Sequence, residues 1–175
     1  MTYRLLMVCT GNICRSAMAE IVVRDRLEEA GINAYVDSAG ISDEEHGGPI
    51  DYRAQRTLTR AGYQVPHHQA RQVQGHELGT YDLVLAMTSH HLSVLEHLAQ
   101  HAGVDVDKET AVGAPKAVDI RMFREFDPTA PAVRHRRELD VPDPWYGDQE
   151  DFEETLRTIE SAADSIVEHV ARAQG

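Results

Sequence analysis

The hydrophobic positions along the chain form two kinds of pattern, short continuous runs and longer runs with helical spacing. Four apolar runs of strand length predict β-strands over residues 3–8, 33–37, 81–87 and 117–122. Stretches in which apolar residues recur every three or four positions predict helices over residues 17–30, 51–61, 89–102 and 149–173. The first three of these helices are each followed by a residue typical of a helix end: Gly31, Gly62 and Gly103.

Alternation of strands with helices predicts an α/β fold, a doubly wound four-stranded parallel sheet with helices on both faces. The 175 residues suffice for one domain with a real core, and no repeat or linker divides them, so we expect a single domain over residues 1–175. Ligands of such folds bind at the carboxyl ends of the strands. The loop after Val8 and the long loop of residues 124–147 are therefore expected to share one crevice.

The loop between the first strand and the first helix contains two reactive side chains, in the sequence Val8-Cys9-Thr10-Gly11-Asn12-Ile13-Cys14-Arg15-Ser16. A strand that turns directly into a helix leaves unpaired backbone N–H groups at the helix start, and these can cradle an anion. Cys9 and Arg15 can face opposite sides of that anion, and a guanidinium can bind two oxygens of phosphate or arsenate. Gly11 and Asn12 suit a left-handed backbone, and Ser16 can cap the helix or donate a hydrogen bond to a thiolate.

Composition excludes several classes of function. A formal net charge of −12 argues against nucleic acid or an anionic membrane as a partner. No apolar stretch has membrane-spanning length and the N-terminus lacks a signal-peptide pattern, so a cytoplasmic location is expected. Two cysteines are too few for a disulfide framework or a structural zinc site, and the ten histidines are scattered, with no third ligand near His67-His68 or His90-His91. We expect no metal and no cofactor.

A candidate acid lies on the segment Val141-Pro142-Asp143-Pro144-Trp145-Tyr146-Gly147. Asp143 can protonate the leaving oxygen of a phosphate ester and then, as a carboxylate, activate the water that attacks a phosphoenzyme. Trp145 and Tyr146 can form walls of a slot for an aromatic ring. Taken alone, the segment is also typical of a proline-rich turn with packed aromatic residues.

Together these segments resemble the low-molecular-weight protein tyrosine phosphatase family. That family has Cys, five residues, Arg and Ser between its first strand and first helix, and the match runs from Val8 to Ser16 and through Met18-Ala19-Glu20. It also carries an Asp-Pro-aromatic-aromatic-Gly turn before its last helix, which residues 143–147 match. The resemblance implies a phosphoric monoester hydrolase of bacterial type that acts on phosphotyrosine and aryl phosphates through a cysteinyl-phosphate intermediate.

The resemblance also implies the roles of individual residues. Cys9 would be the nucleophile, Arg15 the phosphate binder and Asp143 the general acid and base. Substrate contacts would come from Thr10, Gly11, Asn12, Ile13, Cys14, Ser16, Trp145 and Tyr146. By the same resemblance, Ser38 and His68 would support the backbone of Asn12, although a strand-end serine and a surface histidine are equally ordinary. Cys14 is either a packed loop residue or a thiol that forms a disulfide with oxidised Cys9.

The implied partners are tyrosine-phosphorylated proteins, with inorganic phosphate as product and the chain as a monomer or weak homodimer. The sequence departs from the family at the mouth of the slot, where Glu44-Glu45-His46 replaces an aromatic residue and would repel acidic substrates. It also departs at Ala17, where the family has Pro, and at Met87-Thr88, where it has Met-Asp. We therefore do not infer the family's peptide preference for this chain.

Three other functions compete. Arsenate reduction uses the same Cys and Arg loop, but no cysteine follows Cys14 for a thioredoxin-coupled relay, which leaves a type that uses a small-molecule thiol. Phosphoarginine hydrolysis is performed by relatives with Thr in the middle of the loop, where this chain has Ile13. A non-catalytic phosphate binder would not need Cys9, Arg15 and Asp143 all intact.

Overall fold

The computed structural model describes residues 2–106, 117–132 and 134–175. Its strands are β1 (Tyr3–Cys9), β2 (Ala34–Gly40), β3 (Leu83–Ala86) and β4 (Asp119–Met122). Its α-helices are α1 (Arg15–Glu29), α2 (Tyr52–Arg60), α3 (Ser89–His101) and α4 (Gln149–Gln174). The elements predicted from periodicity are thus all present, and the predicted long loop additionally contains two 3₁₀ helices, Phe123–Phe126 and Arg136–Leu139. Residues 107–115 of the predicted polar stretch lie outside the described residues.

The strands form one parallel sheet in the order β2-β1-β3-β4, which confirms the predicted α/β fold. Successive residues of a strand face opposite sides of a sheet. Accordingly, Leu5 and Met7 of β1 pack into a core layer with α1, α2 and α4, whereas Leu6 and Val8 pack into a second layer with α3. Both faces of the sheet are covered, and the carboxyl end of the central strand β1 opens into the first loop.

Local signals account for the ends of the helices. Gly31, Gly62 and Gly103 all have positive φ, as expected of residues that end a helix. Asp51 caps α2, since its carboxylate accepts a hydrogen bond from the backbone N–H of Arg53 at 2.8 Å. No helix within the described ranges is long and apolar enough to cross a membrane.

Two contacts bring distant segments to the carboxyl end of β1. The N–H of Val141 donates to the carbonyl of Met87 at 2.8 Å, which attaches the long loop beside the end of β3. At the end of β2, a Cβ on Gly40 would lie 2.3 Å from the carbonyl oxygen of Thr10, so only glycine allows this close approach to the first loop. The first loop and the long loop therefore share one crevice, as predicted.

Candidate active site

A cleft of about 270 Å³ lies over the loop of residues 9–16. It is lined by most of the predicted site residues together with two glutamates: Cys9, Thr10, Gly11, Ile13, Cys14, Arg15, Glu44, Glu45, Asp143, Trp145 and Tyr146. Asn12 and Ser16 were also predicted to contact substrate, but both side chains are fully buried behind the loop and do not line the cleft. Their side chains form hydrogen bonds on the inner side of the loop, away from the cleft.

Cys9 occupies the base of the cleft and is only 3% exposed. Its Sγ lies 3.0 Å from the Oγ of Ser16, which also accepts a hydrogen bond from Nδ2 of Asn12 at 3.0 Å. Because the Oγ of Ser16 accepts a hydrogen bond from Asn12, its own hydroxyl hydrogen is available to Cys9, and a donor of this kind stabilises a thiolate. Of the two roles predicted for Ser16, the structure therefore supports the hydrogen bond, since no side chain caps α1.

Asn12 bears the backbone strain of the loop. It has φ 60° and is the only non-glycine residue with positive φ in the described part of the chain. Its Nδ2 donates to Oγ of Ser38 at 2.9 Å, its Oδ1 accepts from the N–H of Arg71 at 3.1 Å, and its carbonyl oxygen lies 2.6 Å from Nε2 of His68. Ser38 and His68 thus both contact Asn12. These contacts hold a conformation that costs an ordinary residue about 1–2 kcal/mol.

The prediction of a left-handed backbone at Gly11 is wrong, because Gly11 does not have positive φ. The space for a side chain at this position is tight. A Cβ on Gly11 would lie 3.1 Å from Cγ of Glu45, which packs over the loop.

Arg15 joins the loop to the candidate acid. It is 5% exposed, its Nη1 donates to the carbonyl oxygen of Val141 at 2.9 Å, and its Nη2 lies 3.5 Å from Oδ2 of Asp143. The carboxyl of Asp143 is 45% exposed and its Oδ1 accepts the N–H of Trp145 at 3.1 Å. A guanidinium and an accessible carboxyl group from distant parts of the chain therefore face the same cleft.

The rim of the cleft combines negative charge with exposed aromatic surface. Glu44 and Glu45 lie on one part of the rim, and Trp145 and Tyr146 lie on another, with Tyr146 92% exposed. The described residues contain no group of three or more side chains able to hold a metal ion. The cation available to an anion in the cleft is Arg15.

His91 supports the loop from beneath and was missed as a site residue in the sequence. Its Nε2 lies 2.9 Å from Oγ1 of Thr10, and its ring is buried. Burial, and next the positive charge of Arg15, lowers the pKa of His91 to about 3, so the ring is neutral under ordinary conditions. A signal was present, because His91 lies in the first turn of α3, the helix that follows the carboxyl end of β3, where ligands of such folds bind.

Acidification is expected to destabilise the protein through His91. An unfolded histidine binds a proton near pH 6.5, whereas the folded His91 binds one near pH 3, so stability is lost as the pH falls through this window. The free energy of unfolding should fall by up to about 1.4 kcal/mol per pH unit from this group. Denaturant unfolding at pH 7 and pH 4.5 should show a smaller difference for His91→Asn than for the wild type. His90→Asn, at the exposed neighbouring position, should keep the wild-type difference, and equal differences in both variants would contradict the assignment.

Cys14 is a second buried free thiol in the loop that begins at Cys9. Burial, and next the carboxylate of Asp51, raises the pKa of the Cys14 thiol far above its usual value. Cys14 is therefore protonated at neutral pH and is a poor nucleophile. Its role as a partner for oxidised Cys9 stays a prediction.

Known proteins are similar to this chain in both sequence and fold. The sequence model of the family described as "Low molecular weight phosphotyrosine protein phosphatase" matches residues 4–174. The chain is 39% identical over 169 residues to the low molecular weight protein-tyrosine-phosphatase of Streptomyces coelicolor, covering 95% of this chain and 93% of that protein. It is 36% identical over 154 residues to the low molecular weight phosphotyrosine protein phosphatase of Homo sapiens, covering 87% and 85%.

A solved structure extends this similarity to three dimensions. The crystal structure of a low molecular weight phosphotyrosine phosphatase from Vibrio cholerae has a TM-score of 0.77 to this chain at 28% identity, covering 99% of each chain. The family match spans nearly the whole chain, and it includes the loop of residues 9–16 and the turn that carries Asp143. The chain therefore belongs to the low molecular weight phosphotyrosine protein phosphatase family, a family of cysteine-dependent phosphoric monoester hydrolases.

Proposed function

We propose that this chain hydrolyses phosphotyrosine and other aryl phosphates through a cysteinyl-phosphate intermediate. Its substrates are tyrosine-phosphorylated proteins of the cytoplasm, its product is inorganic phosphate, and it uses no metal or cofactor. One observation carries the proposal: Arg15 lies between the loop that begins at Cys9 and the carboxyl of Asp143, within 3.5 Å of the latter. A nucleophile, an anion-binding group and a proton donor therefore surround one cleft.

In the first step, Sγ of Cys9 attacks phosphorus and the bond between phosphorus and the phenolic oxygen breaks. The loop N–H groups and Arg15 bind the three remaining phosphoryl oxygens and stabilise the charge that develops on them. Asp143 enters this step protonated and gives its proton to the leaving phenolic oxygen, so that a neutral phenol departs. Cys9 is then covalently phosphorylated and Asp143 is a carboxylate.

In the second step, water attacks the phosphorus of the cysteinyl phosphate. Asp143 accepts a proton from that water, the bond between phosphorus and sulfur breaks, and inorganic phosphate forms. Cys9 leaves as a thiolate, which the hydroxyl of Ser16 stabilises from 3.0 Å. The enzyme thereby returns to its starting protonation state.

The apolar lining of the cleft favours an aromatic substrate. Ile13 lines the cleft beside Trp145 and Tyr146, and it provides no hydroxyl to bind the guanidinium of phosphoarginine. Aromatic rings of phosphotyrosine bury apolar surface against such walls, whereas the short side chain of phosphoserine cannot reach across them. We therefore expect selectivity for aryl phosphates.

The proposal is tested with p-nitrophenyl phosphate and matched peptides that carry phosphotyrosine, phosphoserine or phosphoarginine. Turnover of the aryl phosphate and the phosphotyrosine peptide is expected, together with loss of turnover in Asp143→Ala. Faster hydrolysis of phosphoarginine, or thiol-dependent reduction of arsenate, would replace the proposal by one of these activities. Binding of phosphate without any turnover would indicate a non-catalytic binder.

The charge of the rim predicts a preference among phosphotyrosine peptides. Because Glu44 and Glu45 line the cleft, a peptide with Arg beside the phosphotyrosine should have a higher kcat/KM than one with Glu there. One exposed charge pair contributes about 1 kcal/mol, so the difference should be roughly 5- to 10-fold and should shrink at high salt. The double variant E44Q/E45Q should remove it.

p-Nitrophenyl phosphate, which has no flanking residues, should be hydrolysed equally by the wild type and E44Q/E45Q. Asp43→Asn is the matched control, because Asp43 is exposed, pairs with His46 and does not line the cleft. A preference that survives E44Q/E45Q but disappears in Asp43→Asn would contradict the prediction.

A further inference from the structure

The turn that carries Asp143 is attached on both sides. Before the acid, Val141 is hydrogen-bonded through its N–H and its carbonyl, as described above. After the acid, the attachment comes from the side chain of Arg53 near the start of α2. Nη1 of Arg53 lies 3.0 Å from the carbonyl oxygen of Trp145 and 3.3 Å from that of Gly147. One guanidinium thus binds two carbonyls of the acid-bearing turn.

The guanidinium of Arg53 is itself held in a fixed orientation. Nε and Nη2 each lie 3.1 Å from a carboxylate oxygen of Asp51, in a two-pronged ion pair. The plane of the guanidinium also contacts aromatic rings, with its central carbon 4.5 Å from the ring centre of Phe152 and 5.3 Å from that of Trp145. The side chains of Asp51 and Arg53 are 6% and 18% exposed, so the pair is partly shielded from water and restricted in its motion.

The same pair is connected to the phosphate-binding loop. The backbone N–H of Asp51 donates to the carbonyl of Ile13 at 2.9 Å. A continuous chain of contacts therefore runs from Ile13 through Asp51 and Arg53 to the carbonyl of Trp145. Because Oδ1 of Asp143 accepts the N–H of Trp145, a shift of this peptide would also shift the carboxyl of the acid. Arg53 does not line the cleft and touches the reaction only through these neighbours.

We propose that Arg53 is a positioning residue that holds the proton of Asp143 in line with the leaving oxygen of the substrate. This role rests on the proposed function, because it requires Asp143 to be the general acid. Catalytic proton transfer demands accurate placement, and a displacement of about 1 Å can cost about 100-fold in rate. A change at Arg53 should therefore act on the protonation of the leaving group and not on phosphate binding.

Substrates with different leaving groups separate this role from a merely structural one. Phenyl phosphate releases a strongly basic oxygen, comparable to that of tyrosine with its pKa of about 10, and it depends on protonation. p-Nitrophenyl phosphate releases a weakly basic oxygen, so its hydrolysis depends much less on protonation of the leaving group. The value of kcat/KM reports steps up to formation of the phosphoenzyme, where the proton is donated.

The experiment measures kcat/KM of the full-length protein for both substrates in Arg53→Met, Arg53→Lys, Asp143→Asn and the double variant Arg53→Met/Asp143→Asn. Arg53→Met is expected to lower the value for phenyl phosphate about 10-fold more than the value for p-nitrophenyl phosphate. Arg53→Lys should show a smaller selective loss, since an ammonium keeps the charge but not the fork. In the double variant, the change at Arg53 should add no further selective loss. Arg56→Met, at an exposed position of the same helix, should match the wild type.

An equal loss of kcat/KM on both substrates in Arg53→Met would overturn the role of Arg53. The role would also be overturned if Arg53→Met caused a further selective loss in the Asp143→Asn background. Thermal unfolding identifies any variant that does not fold, and in that case the comparison of Arg53→Lys with the wild type decides. Failure of Asp143→Asn to show selectivity is a different result. It would overturn the assignment of Asp143 as the acid, and the role of Arg53 with it.

Discussion

Replacement of Cys9 by serine is expected to abolish turnover while inorganic phosphate still binds. The proposed anion-binding groups, which are the loop N–H groups and Arg15, are unchanged in Cys9→Ser, but a serine hydroxyl is a poor nucleophile here and a poor leaving group from phosphorus. The loss of kcat should be about 10⁴-fold or more, as for other enzymes that lose their nucleophile. Hydrolysis of p-nitrophenyl phosphate measures the loss, and calorimetric titration with inorganic phosphate measures the retained binding.

The binding measurement is the control for Cys9→Ser. A variant that binds phosphate like the wild type has a correctly formed loop, so its inactivity reports the missing nucleophile. Near-normal turnover by a phosphate-binding Cys9→Ser variant would end the covalent mechanism. Loss of both binding and turnover would show instead that Cys9 maintains the loop.

Replacement of Arg15 by lysine is expected to reduce kcat/KM by about 10³-fold or more, because one side chain serves two purposes. Arg15 is the buried cation of the cleft, and its guanidinium also donates to Val141 and faces Asp143. A lysine ammonium cannot bind two phosphate oxygens in a fork while it holds the acid-bearing loop. Unlike Cys9→Ser, Arg15→Lys should also weaken the binding of inorganic phosphate.

Arg26→Lys is the matched control for this variant. Arg26 lies on the same helix but pairs with Glu29 and Asp164 outside the cleft, so its replacement should leave kcat/KM unchanged. An Arg15→Lys enzyme within about 10-fold of the wild type would show that a point charge is sufficient and that the fork geometry is unimportant.

The elements of the fold were predictable because their signals are local. Apolar periodicity identified the strands and helices, and Gly31, Gly62, Gly103 and Asp51 marked helix ends through the conformation and hydrogen bonding of single residues. The third strand, Leu83–Ala86, is shorter than its apolar run, because Tyr81 and Met87 on either side of it are buried without being part of the strand. Apolar runs report burial, and burial extends beyond the residues that pair as a strand.

The details of the loop of residues 9–16 were only partly predictable. Gly11 and Asn12 are adjacent and both tolerate positive φ, so sequence reasoning could not tell which of them adopts it. The structure assigns it to Asn12 because contacts from Ser38, His68 and Arg71 converge on that residue. Whether Ser16 caps the helix or donates to Cys9 likewise depended on a neighbouring residue. The side-chain amide of Asn12 donates to the Oγ of Ser16, which leaves the hydroxyl hydrogen of Ser16 for Cys9.

The sequence by itself determined that a thiol and a guanidinium share one loop between a strand and a helix, because strand, loop and helix are contiguous and their geometry follows from a few neighbouring residues. Only the tertiary structure decided that Asp143 faces Arg15, that His91 lies under Thr10 and that Arg53 holds the acid-bearing turn. Each of these contacts joins segments far apart in the chain. Their distances depend on how the long loop and the helices pack on the sheet, which local residue patterns do not encode.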